Sequence, residues 1–271
     1  MAKKKVIISI DGGGIRGILP LIILQKIFQY EDEFNPELEI EWWGTSAGAL
    51  ISSSICLNRV DGATYFEGAQ NTLDFFELRS SGLIPHQEQR IDNRAFNLLM
   101  NKIFGAYSLQ DFDNLNIVST AIESLKSVVF SNENIPLSEA LKASCAVPGL
   151  FPPVIIGDRR YIDGYVSAKN PTKLALQKAP NDLDLVLSFG TGKLSMVDEV
   201  ENYVQEVHQY SFEVLNAREV PYFRFDPEIK VASEAMDNNS PKNIFNLKQD
   251  AYTFLSEVDH EIKKVQDLLK E

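Results

Sequence analysis

Twice within its first sixty residues the chain runs a short apolar stretch straight into a glycine-rich turn and out again into a helical pattern. Val6 to Ile10 is a β-branched run that reads as a buried strand, and Asp11-Gly12-Gly13-Gly14 breaks it. Apolar residues then recur at helical spacing from Ile18 to about Tyr30, at Ile18, Leu21, Ile22, Leu24, Ile27 and Phe28. Glu39 to Trp43 reads as a second strand. Gly44-Thr45-Ser46-Ala47-Gly48 follows at once, and a small-residue helix runs from Ala47 to Leu57. Strand, turn and helix repeated in this order imply an α/β fold around a largely parallel sheet. With 271 residues, 44% of them hydrophobic and 24% charged, the chain can bury a sizeable core unaided. No Pro/Gly/Ser-rich linker divides it, so residues 1–271 are expected to form one domain.

Downstream, Ala63 to Leu78 and Asn93 to Phe104 read as helices, with a loop around Gly82 and Pro85 between them. Asn116 to Ala121 and Ser127 to Phe130 read as strands, and Leu137 to Cys145 as a helix stopped by Pro148 and Gly149. A hairpin around Gly157-Asp158 leads to Tyr161-Ile162-Asp163-Gly164. Leu183 to Phe189 is a further strand ended by Gly190-Thr191-Gly192, and Tyr222 to Phe225 another. One long helix is expected from about Leu247 to Leu269, with a single apolar stripe of Leu247, Ala251, Leu255, Val258, Ile262, Val265 and Leu269. Such a stripe docks on a membrane, on a second subunit in a homo-oligomer, or on the chain's own core, which is the favoured reading.

Charge and cysteine content exclude several classes. Lys and Arg total 26 against 38 for Asp and Glu, a net charge of −12. General nucleic-acid binding neutralises phosphates and is not expected of such a chain, and an anionic membrane repels it on average. Two cysteines, Cys56 and Cys145, are too few for a disulfide framework or a metal site and read as buried thiols in a reducing, cytoplasmic compartment. The basic start Lys3-Lys4-Lys5 resembles a signal peptide, but the apolar run after it ends at Asp11, too short for a signal. No uncharged run approaches the ~18 residues of a membrane span. A soluble, unprocessed protein is expected.

Three places carry potential chemistry. Gly12, Gly14 and Gly17 satisfy G-x-G-x-x-G after a strand, which keeps a nucleotide-binding oxidoreductase open. That reading needs an acidic residue about 20 positions on at a strand end; Glu31 to Glu33 fall in a helical pattern instead. The other reading is that the backbone N–H groups of Gly12, Gly13 and Gly14 form a concave donor site for a developing oxyanion. Gly44-x-Ser46-x-Gly48, between a strand and a helix, has the context of a nucleophile elbow, although Ser46 could equally be an N-cap. A nucleophile needs a base. His86, His208 and His260 lie in no motif, yet the order Ser46, Asp163, then His208 or His260 leaves a triad open. Asp163, after Arg160-Tyr161-Ile162 and before Gly164, is better placed, although Asp-Gly also makes hairpin turns.

In order and spacing, Asp11-Gly12-Gly13-Gly14-Ile15-Arg16-Gly17, Gly44-Thr45-Ser46-Ala47-Gly48 and Asp163-Gly164 resemble the motifs of the patatin-like phospholipases. Ser144 to Pro153, Asn170-Pro171 and Phe189-Gly190-Thr191-Gly192 extend the likeness over about residues 5–192, and residues 193–271 are mostly helical and less distinctive. The resemblance implies a three-layer α/β/α fold with a mostly parallel central sheet. It also implies hydrolysis of lipid esters by a Ser-Asp dyad, with no metal or organic cofactor. By position, Ser46 is then the nucleophile and Asp163 its base, with Gly12, Gly13 and Gly14 as the oxyanion hole. Arg16 would orient the glycine loop or a phosphate headgroup, and Gly44, Gly48 and Gly164 would shape the turns. The implied substrate is a membrane phospholipid met by peripheral contact with the bilayer. Some bacterial relatives are antiviral effectors switched on by a cyclic oligonucleotide activator; the chain's shortness is compatible with that, and no residue carries it. Tyr165 departs from the family, which usually has Gly or Ala there, so the acyl or headgroup preference is the property it affects. A non-catalytic lipid- or partner-binding module is the remaining reading, opposed by the intact serine and aspartate.

Overall fold

The alternation at the start of the chain forms the centre of the molecule. Strands β1 (Lys4–Ile10) and β2 (Leu38–Thr45) run parallel, in register from Lys4↔Leu38 to Ile10↔Gly44. A computed structural model describes residues 3–83, 93–195 and 199–271. Six further strands complete one sheet: β3 (Leu115–Ala121), β4 (Lys126–Phe130), β5 (Val154–Ile156), β6 (Arg159–Asp163), β7 (Leu185–Phe189) and β8 (Tyr222–Phe225). Their order is β5-β6-β3-β2-β1-β7-β8, with β4 also paired to β3. The contiguous block β3-β2-β1-β7-β8 is parallel, and β4, β5 and β6 add antiparallel pairings at one side.

Helices cover both faces, as buried parallel strands require. They are α1 (Ile18–Phe28), α2 (Ala47–Val60), α3 (Tyr65–Leu83), α4 (Asn93–Phe104), α5 (Leu137–Ser144), α6 (Tyr165–Ala168), α7 (Thr172–Lys178), α8 (Glu199–Ala217), α9 (Pro241–Glu257) and α10 (Asp259–Lys270). Side chains alternate across the sheet. Val6, Ile8 and Ile10 of β1 join Leu185, Leu187 and Phe189 of β7 in the larger core, under α1, α2, α3, α9 and α10. Ile7 and Val186 face the other way, onto Ala168, Ala175, Leu176 and Leu215 of α6, α7 and α8. This is the expected three-layer α/β/α architecture.

Several local expectations change. Helix α1 is buried almost all round rather than on one stripe, because it lies between the sheet and α3, α9 and α10. Gly82 belongs to α3, not to a loop, while Pro85 and His86 lie outside the described residues. The single C-terminal helix is two: α9 starts earlier, at the Ser240 N-cap and Pro241, and Val258 (φ −113°, ψ 22°) separates it from α10. Leu247, Ala251, Ile262, Val265 and Leu269 are buried in the chain's own core, with Leu255 and Val258 packed against it. The stripe is therefore already covered.

Topology places the turns. β2, β1 and β7 are neighbours, so the turns after Ile10, Thr45 and Phe189 meet at one carboxyl edge, where open α/β sheets bind ligands. β3 brings in β6. Its residues 117–121 pair with β4 along one edge, so β2 and β6 share the other, β2 up to Thr45↔Val118 and β6 from Ser119↔Asp163. Running antiparallel, β6 meets the end of β2 head-on, which sets Asp163 beside the residue after Thr45.

Candidate active site

That residue is Ser46, and its Oγ donates to Asp163 Oδ2 at 2.8 Å. Ser46 is a non-glycine residue in the left-handed region (φ 54°, ψ −118°), the sharp strand-to-helix turn of a nucleophile elbow. Such a conformation costs ~1–3 kcal/mol and needs surroundings that enforce it. A Cβ on Gly44 would overlap Gly48, and one on Gly48 would overlap the Ile10 carbonyl, so only glycine lets the turn close against β1. Ser46 N–H donates to Ser144 Oγ at 2.8 Å, which itself donates to the Val118 carbonyl at 2.6 Å. Ser46 makes no side-chain cap to α2, so the plain N-cap reading falls.

Asp163 is fully buried at the end of β6. Its Oδ1 accepts the Tyr165 N–H at 2.7 Å, and its backbone is tied by Thr120 Oγ1 to its carbonyl at 2.9 Å. Burial pushes the carboxyl up from 3.8 to about 7, against the pull of the Tyr165 N–H and the Ser46 hydroxyl. The Asp-Gly pair turns from strand into α6 rather than forming a hairpin, and a Cβ on Gly164 would overlap the Val118 carbonyl. Neither His208 nor His260 is among the residues lining the pocket over Ser46. His208 Nδ1 shares a hydrogen bond with the Tyr222 hydroxyl at 3.1 Å, and His260 is exposed on α10.

The glycine loop departs from expectation at Gly12. Its N–H donates to the Lys169 carbonyl at 3.0 Å, so it is not a free oxyanion donor. The Gly12 Cα packs so near Ser46 that an added Cβ would lie 3.3 Å from the serine Cβ. Among the described residues the N–H groups of Gly13 and Gly14 have no hydrogen-bond acceptor, and both residues line the pocket above Ser46. Gly14 needs its freedom (φ 58°). Arg16 is buried and does not line this pocket. Its Nε reaches the Gly13 carbonyl at 3.4 Å, which favours orienting the loop over holding a headgroup.

Support comes from residues the sequence did not single out. Asp11, just before the loop, is held by Arg224 of β8 at 2.8 Å, and Arg224 also holds Asp226 at 2.8 Å. Burial alone would lower the Arg224 pKa, but the two carboxylates outweigh it and keep the guanidinium charged. Thr191 Oγ1 donates to the Gly12 carbonyl at 2.7 Å. Lys169, whose carbonyl takes the Gly12 N–H, forms a buried pair with Glu201 at 3.2 Å. Only Asp11 and Thr191, inside quoted motifs, left any trace in the sequence.

The pocket over Ser46 and Asp163 is walled by apolar side chains, among them Ile15, Leu50, Phe76, Phe96, Leu150, Phe151, Val166 and Met236. Phe96 and Phe151 pack with ring centroids 5.0 Å apart. Tyr165 is among the residues that line the pocket. Cys145 is there too, buried as expected; burial and neighbouring Asp163 push its thiol well above the usual value, so it stays a neutral S–H. Among the described residues no group of three or more His, Cys, Asp or Glu side chains is placed to hold a metal ion. The glycine loop does not cradle a dinucleotide, because the Met236 carbonyl lies against Gly14 and Glu31–Glu33 is an isolated 3-10 turn.

The family model described as patatin-like phospholipase matches residues 8–176, more than half the chain. Patatin-like protein 2 of Arabidopsis thaliana is 26% identical over 243 residues, covering 69% of this chain and 59% of that protein. Intracellular phospholipase A2 of Caenorhabditis elegans is 26% identical over 224 residues, covering 71% of this chain and 20% of its own length. Calcium-independent phospholipase A2-gamma of Homo sapiens is 24% identical over 318 residues, covering 98% of this chain and 40% of its own length. The chain thus spans between a fifth and three fifths of these relatives. With the family model spanning both the glycine loop and Asp163, the chain belongs to the patatin-like phospholipase family.

Proposed function

We propose that this protein is a lipid acyl hydrolase of the phospholipase A type that cleaves ester bonds of membrane glycerophospholipids through Ser46 and Asp163. The observation that carries the reading is the 2.8 Å hydrogen bond from Ser46 Oγ to a buried carboxylate at the floor of an apolar pocket. An acyl chain fits the pocket walls, and its ester carbonyl carbon comes to Ser46 Oγ. As Oγ attacks, Asp163 takes its proton; a carboxyl held near 7 is a far stronger base than a free one at ~3.9. The carbonyl oxygen becomes an oxyanion, and the N–H groups of Gly13 and Gly14 are the donors aimed at it. Collapse breaks the ester bond, and Asp163 returns the proton to the leaving alcohol. Water then attacks the acyl-enzyme and gives its proton to Asp163; the bond to Ser46 Oγ breaks, Asp163 returns the proton to Oγ, and the fatty acid departs with both residues restored.

A peripheral contact with the bilayer follows from the substrate. No helix among the described residues is long and apolar enough to cross a membrane, and Val166, 46% exposed, stands in the pocket wall where a lipid would enter. A cytoplasmic location rests on the two free, buried cysteines. The antiviral role and the cyclic-oligonucleotide activator rest on family resemblance alone, and turnover measured with and without such nucleotides tests them.

The deciding experiment is fluorophosphonate labelling combined with turnover on phospholipid vesicles. The wild-type chain should label and release fatty acid, and Ser46→Ala should abolish both. Replacing His86, His208 and His260 by Ala, singly and together, should leave turnover within a few-fold. A folded histidine variant that loses ~1000-fold or more would overturn the dyad.

A further inference from the structure

Between β8 and α9, residues 226–240 carry no helix and only an isolated bridge of Glu228 to Lys193. They lie outside the residues matched by the family model. Yet the segment is held at many points. Asp226 Oδ1 accepts the Gly192 N–H at 3.1 Å. The Asp250 carboxylate, buried on α9, accepts the N–H groups of Lys230 at 3.2 Å, Val231 at 3.2 Å and Ala232 at 3.0 Å. Asn243, also buried on α9, accepts the Ser233 N–H at 2.6 Å and donates to the Asn238 carbonyl at 2.7 Å.

Those two Asn243 bonds clamp the strap on either side of Met236. There the chain turns its Met236 carbonyl onto the Ile15 N–H at 3.0 Å. The same carbonyl lies against Gly14, where a Cβ would overlap it, in the residue that needs a positive φ. The strap and the glycine loop therefore fix each other's backbone. Helix α9 needs none of these bonds for its own turns; its Asp250 and Asn243 serve the strap. Met236 and Asp237 also stand in the pocket wall.

We propose that Asn243 and Asp250 are positioning residues for the oxyanion donors. Through the strap they hold the Met236 carbonyl on the Ile15 N–H, and so fix the direction of the Gly13 and Gly14 N–H groups. The inference rests on the hydrolase reading above and gives residues of the C-terminal third a part in it.

Two readouts on the full chain test it. Amide hydrogen exchange over residues 11–18 reports the loop whether or not the chain turns over. Steady-state kinetics on a short soluble ester report the chemistry without a membrane. In Asn243→Ala and Asp250→Ala, exchange should quicken at 226–240 and at 11–18 together. The kcat should fall ~10- to 100-fold while KM stays within ~3-fold, because misaimed donors weaken the transition state rather than substrate binding. The pH midpoint should not move. Asp250→Asn keeps one acceptor oxygen and should recover part of the loss; it also serves if Asp250→Ala does not fold. Leu255→Ala, elsewhere on α9, should lower the melting temperature without touching kcat or exchange at 11–18. Wild-type exchange at 11–18 or wild-type kcat in folded Asn243→Ala and Asp250 variants would overturn the proposal, as would an equal kcat loss in Leu255→Ala. Should Ser46→Ala turn over like the wild type, the hydrolase reading fails by itself, and the exchange arm still decides whether the strap holds the loop.

Discussion

Asp163 is buried where its charge is poorly solvated, and that single fact sets both a kinetic and a thermodynamic prediction. With Asp163 as the proposed base, hydrolysis needs the ionised carboxylate, so turnover on a soluble ester should rise with pH through a midpoint near 7. Asp163→Asn keeps the shape and removes the basicity, and kcat should fall ~100- to 10,000-fold. Stability runs the other way. The folded carboxyl titrates at about 7, the unfolded one near 3.8, so between those values the native state holds more protons than the unfolded state. Folding stability from this group is fullest below the unfolded value and is lost as pH rises through the folded one, by up to ~4 kcal/mol. Asp163→Asn carries no such loss. Denaturant titrations at pH 4 and pH 8 should therefore show the variant gaining on the wild type by a few kcal/mol at the higher pH. An equal difference at both values would mean that the carboxyl is not perturbed.

At the scale of elements, one tight joint is where the β2–α2 elbow meets β1. Gly48→Ala puts a methyl group into the Ile10 carbonyl, backbone against backbone, so the strain has no flexible side chain to relax it. A loss of ~3 kcal/mol of folding stability, read as a lower denaturant midpoint, is expected. The same substitution at Gly68, in the first turns of α3, meets neighbours no nearer than 3.4 Å. Gly68→Ala should raise stability by up to ~1 kcal/mol, since alanine is the better helix former. Opposite signs for one chemical change separate a glycine needed for contact from one that is not. The two turns that meet here were legible in the sequence, because an apolar run stopping at glycines leaves few other conformations. So were β8, α4 and the turn at Gly157-Asp158. The division of α9 from α10 was half legible. Ser240-Pro241 is a readable helix start, whereas the break at Val258 carries neither Gly nor Pro. Hidden altogether were Arg224 on Asp11, Lys169 on Gly12 and Met236 on Ile15, each joining positions more than 150 residues apart. Periodicity and turn chemistry describe a residue's own neighbourhood and say nothing of such distant partners. For that reason Ser46 and Asp163 could be singled out from their motifs, while the occupied N–H of Gly12 could not.

At the scale of the whole molecule, the proposed contact of the pocket with a bilayer makes charge the governing quantity. The net charge of −12 opposes approach to anionic lipid, so turnover on anionic vesicles should rise as salt screens the repulsion, with zwitterionic vesicles little affected. Against that net charge, Arg159-Arg160 is a local basic pair close to Asp163 in sequence. Both are exposed on β6, ~10 to 13 Å along the strand from Asp163, and Arg160 shares its charge with Glu123 at 3.1 Å. Its exposed pairing is worth little, so both guanidinium groups stay available to lipid phosphates. Reversing both charges, Arg159→Glu with Arg160→Glu, should weaken vesicle binding and cut turnover on vesicles more than on a soluble ester. Cosedimentation and the two rates measured side by side check it. Equal losses on both substrates would point to damage at the end of β6, where Asp163 sits. Unchanged vesicle binding would mean that another surface faces the membrane, and the patch would have no part in it.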